Sequence, residues 1–127
     1  MNIIDSSGWL EYFADCPNAS YFSGPLQKTT ELIVPTITIH EVFKAVLRQR
    51  TESDALQAVA LMQQGFVVDL TVSISILSAK MSLEHHIPTA DSIILATAFI
   101  YEATIWTQDS DFKGIEGVQY VPKKPKE

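Results

Sequence analysis

The chain has little of what would set it apart from an ordinary globular protein. Its single cysteine, Cys16, cannot close an internal disulfide, and a reducing cytoplasm is the compartment that fits. Cys16 precedes Pro17 in an expected turn and reads as an unreactive thiol. Cations are scarce: nine Lys and Arg stand against fifteen Asp and Glu, a formal net charge of −6. A generic nucleic-acid binder presents a basic domain, so this balance argues against one. The objection weakens if several negative charges share one pocket with a cation, because distribution then matters more than the total. No uncharged apolar run reaches the ~20 residues that a membrane helix needs; the stretch opening at Ser92 is closed by Glu102. No basic segment precedes an apolar one at the start, and residues 2 to 5 already read as a core strand, so no signal peptide is expected. Repeats, linkers and low-complexity segments are also missing. What remains is 127 residues, 46% hydrophobic and 19% charged, which suggests a single domain over residues 1–127 with a small core.

Short β-branched runs predict strands at Asn2 to Asp5, Leu32 to Val34, Phe66 to Leu70, Thr104 to Thr107 and Val118 to Val121. The segments between them have helical patterns. Ser7 to Ala14 is short and amphipathic, and Ala19 to Lys28 is expected to be interrupted at Gly24-Pro25. Ile39 to Arg50 carries an apolar stripe of Ile39, Val42, Phe43, Val46 and Leu47. Ala55 to Gln64 is expected to turn Leu56, Val59 and Ala60 inward and to end at Gly65. Val72 to His86 and Ala90 to Glu102 complete the helices, and the tail from Pro122 to Glu127 is polar and expected to fray. Strands alternating with helices predict an α/β fold built on a mostly parallel sheet.

Four acidic residues sit where an element is expected to begin or end: Asp5, Glu41, Asp91 and Asp109. Each has a local explanation. Glu41 completes a capping box with Thr38. Asp91 lies in a first helical turn, where the macrodipole favours an anion. Asp109 would cap a turn through Ser110 to Lys113. Asp5 is harder to dismiss, because it ends an apolar strand where an α/β sheet builds its site. Together the four suggest one pocket. At roughly 4 Å and an effective dielectric near 20, one like-charge pair costs about 4 kcal/mol, so either protons or a cation must share the space. Oxygen ligands without a Cys or His cluster suit Mg²⁺ or Mn²⁺ and not zinc.

Four segments then carry a family resemblance: Asp5-Ser6-Ser7, Ile39-His40-Glu41, the run Thr89-Ala90-Asp91-Ser92-Ile93-Ile94-Leu95-Ala96-Thr97-Ala98, and Thr107-Gln108-Asp109-Ser110-Asp111-Phe112. In order and spacing they resemble the PIN-domain ribonucleases, and the size resembles the VapC-type toxins of toxin–antitoxin pairs. The resemblance implies a three-layer α/β/α PIN-like domain and a Mg²⁺- or Mn²⁺-dependent endoribonuclease leaving 5′-phosphate and 3′-hydroxyl ends. It implies Asp5, Glu41 and Asp91 as metal ligands, Asp109 as the fourth acid, and Ser7 and Thr107 as hydrogen-bonding supports. Asp109 is favoured over Asp111 because it follows the strand directly; Asp111 would orient the loop or a water. The resemblance further implies a homodimer and a cognate antitoxin whose peptide covers a groove, for which Asn18 to Gln27 and the helix from Ile39 are the expected walls.

Lys44 and Arg48 share a helix face with Glu41, which reads either as a phosphate-contacting stripe for RNA or as a solvated face with Glu41–Lys44 pairing. Arg50 is off that stripe, and the tail lysines read as solubility. His40 is turned about 100° from Glu41, and His85 and His86 read as a helix end. Trp9, Tyr12, Phe13, Tyr21 and Phe22 read as core packing or a partner groove more readily than as base-stacking residues. Two other functions stay open: an aspartyl-phosphate enzyme or receiver with Asp5 as nucleophile, for which Lys113 is poorly placed, and a non-catalytic PIN-like module.

Overall fold

The expected strands pair into a five-stranded sheet, ordered β3-β2-β1-β4-β5, in which every pairing is parallel. In the computed structural model, which describes residues 1–125, the strands are β1 (Asn2–Ile4), β2 (Leu32–Pro35), β3 (Phe66–Val68), β4 (Thr104–Thr107) and β5 (Val118–Tyr120). The helices are α1 (Ser6–Phe13), α2 (Ala19–Gln27), α3 (Thr36–Gln49), α4 (Glu52–Met62), α5 (Val72–His85) and α6 (Thr89–Tyr101). Lys126 and Glu127, the end of the tail expected to fray, lie outside the described residues.

Period-two alternation splits the sheet into two apolar faces. Ile3, Ile33, Val68 and Ile105 face α5 and α6 in one core. Ile4, Val34 and Trp106 face Trp9, Phe22, Val42, Ala58 and Met62 of α1 to α4 in the other. The result is a three-layer α/β/α fold, with a sheet that is parallel throughout and not only mostly so.

Several local expectations are corrected. α2 runs unbroken through Gly24-Pro25, although Pro25 lacks the N–H that would bond the preceding turn. Pro25 and Leu26 are buried, and that packing offsets the lost bond. α3 starts at Thr36, a turn before Ile39, with Pro35 at its N-cap and no side-chain cap. Thr38 is therefore inside the helix, where its hydroxyl donates back to the Pro35 carbonyl at 2.6 Å, and no capping box with Glu41 forms. α4 buries Ala55, Ala58 and Met62, while Leu56 and Ala60 are exposed. Leu56 instead lines an open hollow beside Ile39, Phe43 and Leu47 of α3.

Gly8 sets how α1 lies on the sheet. A Cβ there would sit 2.6 Å from Ile4 Cγ2 and 2.8 Å from the Phe22 ring, so only glycine lets the helix start come this near β1 and α2. Gly8→Ala is expected to destabilise the protein by about 1–3 kcal/mol through overpacking. Urea unfolding checks this; an unchanged midpoint would mean that α1 shifts freely.

Candidate metal centre

The sheet places the acids by topology. From β1 the chain builds outward through β2 and β3, then returns to β4 on the other side, so β1 and β4 flank a switch point. Ile4 pairs with Trp106, and the Asp5 amide donates to the Trp106 carbonyl at 3.2 Å. Asp5 and the Thr107–Asp109 segment thus leave the sheet side by side. α3 follows β2 and α6 precedes β4, so both helices begin at this same carboxyl edge, bringing Glu41 and Asp91 towards it.

Asp5 is only 1% exposed, and both its oxygens are held. Oδ1 accepts from Ser7 Oγ at 2.7 Å and from the Gly8 amide at 3.0 Å; Oδ2 accepts from Thr107 Oγ1 at 2.6 Å. The Gly8 bond also makes Asp5 the N-cap of α1. Thr107 Oγ1 in turn accepts from the Asp109 amide at 2.9 Å, which ties the last acid to the first. Glu41, on the second turn of α3, accepts from Ser6 Oγ at 3.0 Å. Asp109 caps the short 3₁₀ turn Ser110–Phe112, as expected, by accepting from the Asp111 amide at 2.9 Å.

Carboxylate oxygens of Asp91, Asp109 and Asp111 lie within 4.8 Å of one another. Asp109 and Asp111 are therefore not alternatives: the 3₁₀ turn brings both to Asp91. Such a spacing suits one hard cation, since two opposed oxygens at about 2.1 Å from Mg²⁺ stand about 4.2 Å apart. The donors are all oxygens, with no Cys or His in the cluster. His40, His85 and His86 are exposed, and His40 lines a hollow of about 510 Å³ with Ile39, Phe43, Lys44, Leu47 and Leu56.

The electrostatics match the crowding. Burial pushes the Asp5 carboxyl up to about 6, against the pull of its Thr107, Ser7 and Gly8 hydrogen bonds. Asp91 is pushed up to about 8, first by burial, then by repulsion from Asp109, Asp5, Asp111 and Glu41. Asp109, Asp5, Asp111 and Glu41 thus all act on Asp91, and Asp109 acts on Asp5 as well.

Lys44 and Arg48 are exposed on the flank of α3 that carries Glu41. Of the expected groove walls, Phe22, Pro25 and Leu26 of α2 are turned into the core. The helix from Ile39 does line a groove of about 1140 Å³, which lies between α1, α3 and α4 with Leu10, Phe13, Val46, Ala58 and Leu61 in its walls and Ser7, Glu11 and Gln108 among its lining residues. The aromatic cluster packs internally, with Trp9 stacked on Phe13 at 5.6 Å and Tyr21 against Trp106 at 5.3 Å between ring centroids. Ser6, Gly8, Glu11, Asn18 and Gln108 had no expected role. One signal was available: Glu11 is the lone charge in an otherwise uncharged α1.

Comparison with known proteins agrees with this geometry. The PIN domain profile matches residues 3–118. No curated protein sequence matches the chain. Among solved structures, a toxin–antitoxin complex from Klebsiella pneumoniae superposes with a TM-score of 0.78 at 22% identity, covering 94% of this chain and 96% of that one. VapC20 of Mycobacterium tuberculosis, a sarcin–ricin loop cleaving toxin, gives 0.76 at 13% identity, covering 91% and 95%. DNA-bound VapBC from Salmonella typhimurium gives 0.73 at 14% identity, covering 96% and 98%.

The raised carboxyls make a pH prediction for the cation-free protein. The folded state holds protons on Asp91 and Asp5 that the unfolded chain releases near pH 3.8, so stability falls as pH rises from about 4, through the folded values of about 6 and 8. Melting in EDTA should show this decline, Asp91→Asn should flatten it, and Mg²⁺ or Mn²⁺ should restore stability at pH 8. A melting temperature independent of pH and of the cation would show that the acids do not repel.

Proposed function

The chain belongs to the PIN-domain family, and on that premise we propose that it is a Mg²⁺- or Mn²⁺-dependent endoribonuclease, the toxin of a toxin–antitoxin pair, acting in the cytoplasm as a single domain over residues 1–127. The observation that supports this most is the cluster of Asp91, Asp109 and Asp111, with carboxylate oxygens within 4.8 Å of one another, and with Asp5 and Glu41 close enough to raise the Asp91 carboxyl though outside that cluster. In this reading Asp5, Glu41, Asp91 and Asp109 hold the cation, and Asp111 completes the set beside them. When bound, the cation supplies positive charge against a phosphodiester and makes water a better nucleophile at neutral pH.

The chain's own residues do the rest. Ser7 and Thr107 fix the direction of the Asp5 carboxylate, and Oδ2, which accepts only from Thr107, keeps a lone pair for the cation. Asp91 or Asp109 orients the attacking water and accepts its proton. Lys44 and Arg48 offer positive charge to RNA alongside an otherwise acidic pocket. The product carries 5′-phosphate and 3′-hydroxyl ends. An antitoxin segment occupies the groove between α1, α3 and α4; that such a partner exists is supported by the toxin–antitoxin complexes among the similar structures. The exposed Val72, Ile76 and Leu83, on one face of α5, supply an apolar surface for a homodimer.

The experiment is RNA cleavage with and without Mn²⁺, with the ends mapped. Asp5→Asn or Asp91→Asn should abolish cleavage while the protein stays folded. Thr107→Val should cost about 10–100-fold, as for other outer partners of metal ligands. Near wild-type cleavage by either Asn variant in Mg²⁺ would refute the site.

On a catalytically dead background, Lys44→Ala with Arg48→Ala should weaken RNA binding. It should also flatten the dependence of log K on log salt by up to about 1.4, two charges at about 0.7 each. An unchanged slope would assign RNA binding to another surface.

A further inference from the structure

Glu11, Asn18 and Gln108 are 4%, 3% and 7% exposed, three polar side chains buried together beside the acidic pocket. They come from α1, the start of α2 and the residue after β4. Their atoms are closely matched. Glu11 Oε1 accepts from Gln108 Nε2 at 3.0 Å, and Glu11 Oε2 accepts from the Asn18 amide at 2.8 Å. Asn18 Nδ2 donates to Gln108 Oε1 and to the Pro122 carbonyl, each at 3.0 Å. Gln108 also reaches Ser7, its Nε2 to the Ser7 carbonyl and its amide to Ser7 Oγ, both at 3.4 Å. Burying a carboxylate is costly unless it is satisfied, and a satisfied buried network permits one arrangement and penalises its neighbours.

That arrangement bears on the pocket through covalent adjacency. Gln108 lies between Thr107, which donates to Asp5, and Asp109, whose amide donates back to Thr107. Ser7, at the other end of the network, donates to Asp5. We infer that Gln108, clamped by Glu11 and Asn18, is a positioning residue: it fixes the backbone from Thr107 to Asp109 against α1, and so sets where the Asp5 and Asp109 carboxylates stand for a divalent cation. This rests on the metal-site reading above. A purely structural anchor would contribute stability without affecting cation affinity.

An exchange of the two partners separates these. Glu11→Gln removes one negative charge, Gln108→Glu adds one, and the double variant keeps the wild-type charge while restoring a carboxylate–amide pair. Mn²⁺ affinity is measured for all four proteins by titration calorimetry, with melting temperatures in EDTA beside it. Both single variants should bind Mn²⁺ about 10-fold more weakly, within the range for outer partners of metal ligands, and the double variant should recover most of the loss. Charge alone would move the two singles in opposite directions, and that result overturns the inference. So does a fall in melting temperature with Mn²⁺ affinity unchanged. Gln108→Met, which removes the amide without adding charge, is the second variant and should also bind about 10-fold more weakly. A wild-type protein that binds no Mn²⁺ would instead refute the metal site itself, a separate outcome.

Discussion

The burial and mutual repulsion of carboxylates at the carboxyl edge of the sheet is the constraint around which this structure is arranged. Asp91 is raised by burial and by four other acids at once, and Asp5 is raised although three donors point at it. A chain gains nothing in stability from such a cluster. It is maintained by elements that are stable for other reasons: β1 and β4 paired in the sheet, and α6 buried along eight consecutive residues from Asp91 to Ala98. That burial makes the pocket rigid, and rigidity keeps the charges from moving apart. A divalent cation resolves the repulsion without moving any element.

The hydrogen bonds around Asp5 have a double character for the same reason. The Gly8 bond is an ordinary N-cap, and with the Ser7 and Thr107 bonds it also defines the direction of a buried carboxylate. Gly8 contributes twice: its missing Cβ allows the close approach to Ile4 and Phe22, and its backbone amide, which any residue but proline would supply, completes the cap. Capping, packing and site geometry converge at the start of α1, where Asp5 to Gly8 all bear on the edge.

Much of this was legible in the residues. The strands were found to within two residues because short β-branched runs between turn residues have little else to be. The acids at element ends pointed to the carboxyl edge because a parallel α/β sheet has only one such edge. Errors came where tertiary contact overrides local pattern. Thr38 and Glu41 have capping-box spacing, but the buried Pro35 takes the cap position and the helix begins earlier. Leu56 satisfies a helical apolar stripe, but α4 buries Ala55, Ala58 and Met62 and leaves Leu56 exposed at the edge of a hollow beside α3. Asp109 and Asp111 look like alternatives when the loop is read as extended. A 3₁₀ turn, capped by Asp109 itself, puts both beside Asp91. The Glu11–Asn18–Gln108 network was invisible because its members are 90 and 97 residues apart across two of its bonds, and no local period marks a contact of that range.

The way Asp5 is held also bears on two chemistries that an acidic α/β edge can support. A nucleophilic aspartate needs an oxygen free for in-line attack on phosphorus and a cation placed to receive the phosphoryl group. Asp5 is 1% exposed, with one oxygen accepting twice and the other accepting from Thr107 at 2.6 Å. Lys113, the lysine that would serve, is exposed beyond the 3₁₀ turn. A ligand has lighter demands: an oxygen that accepts a hydrogen bond still has a lone pair for a cation, and fixing its direction favours binding. The bonds that handicap Asp5 as a nucleophile therefore suit it as a ligand. The remaining acids, which a covalent mechanism would leave repelling one another, would in the proposed reading complete a coordination sphere.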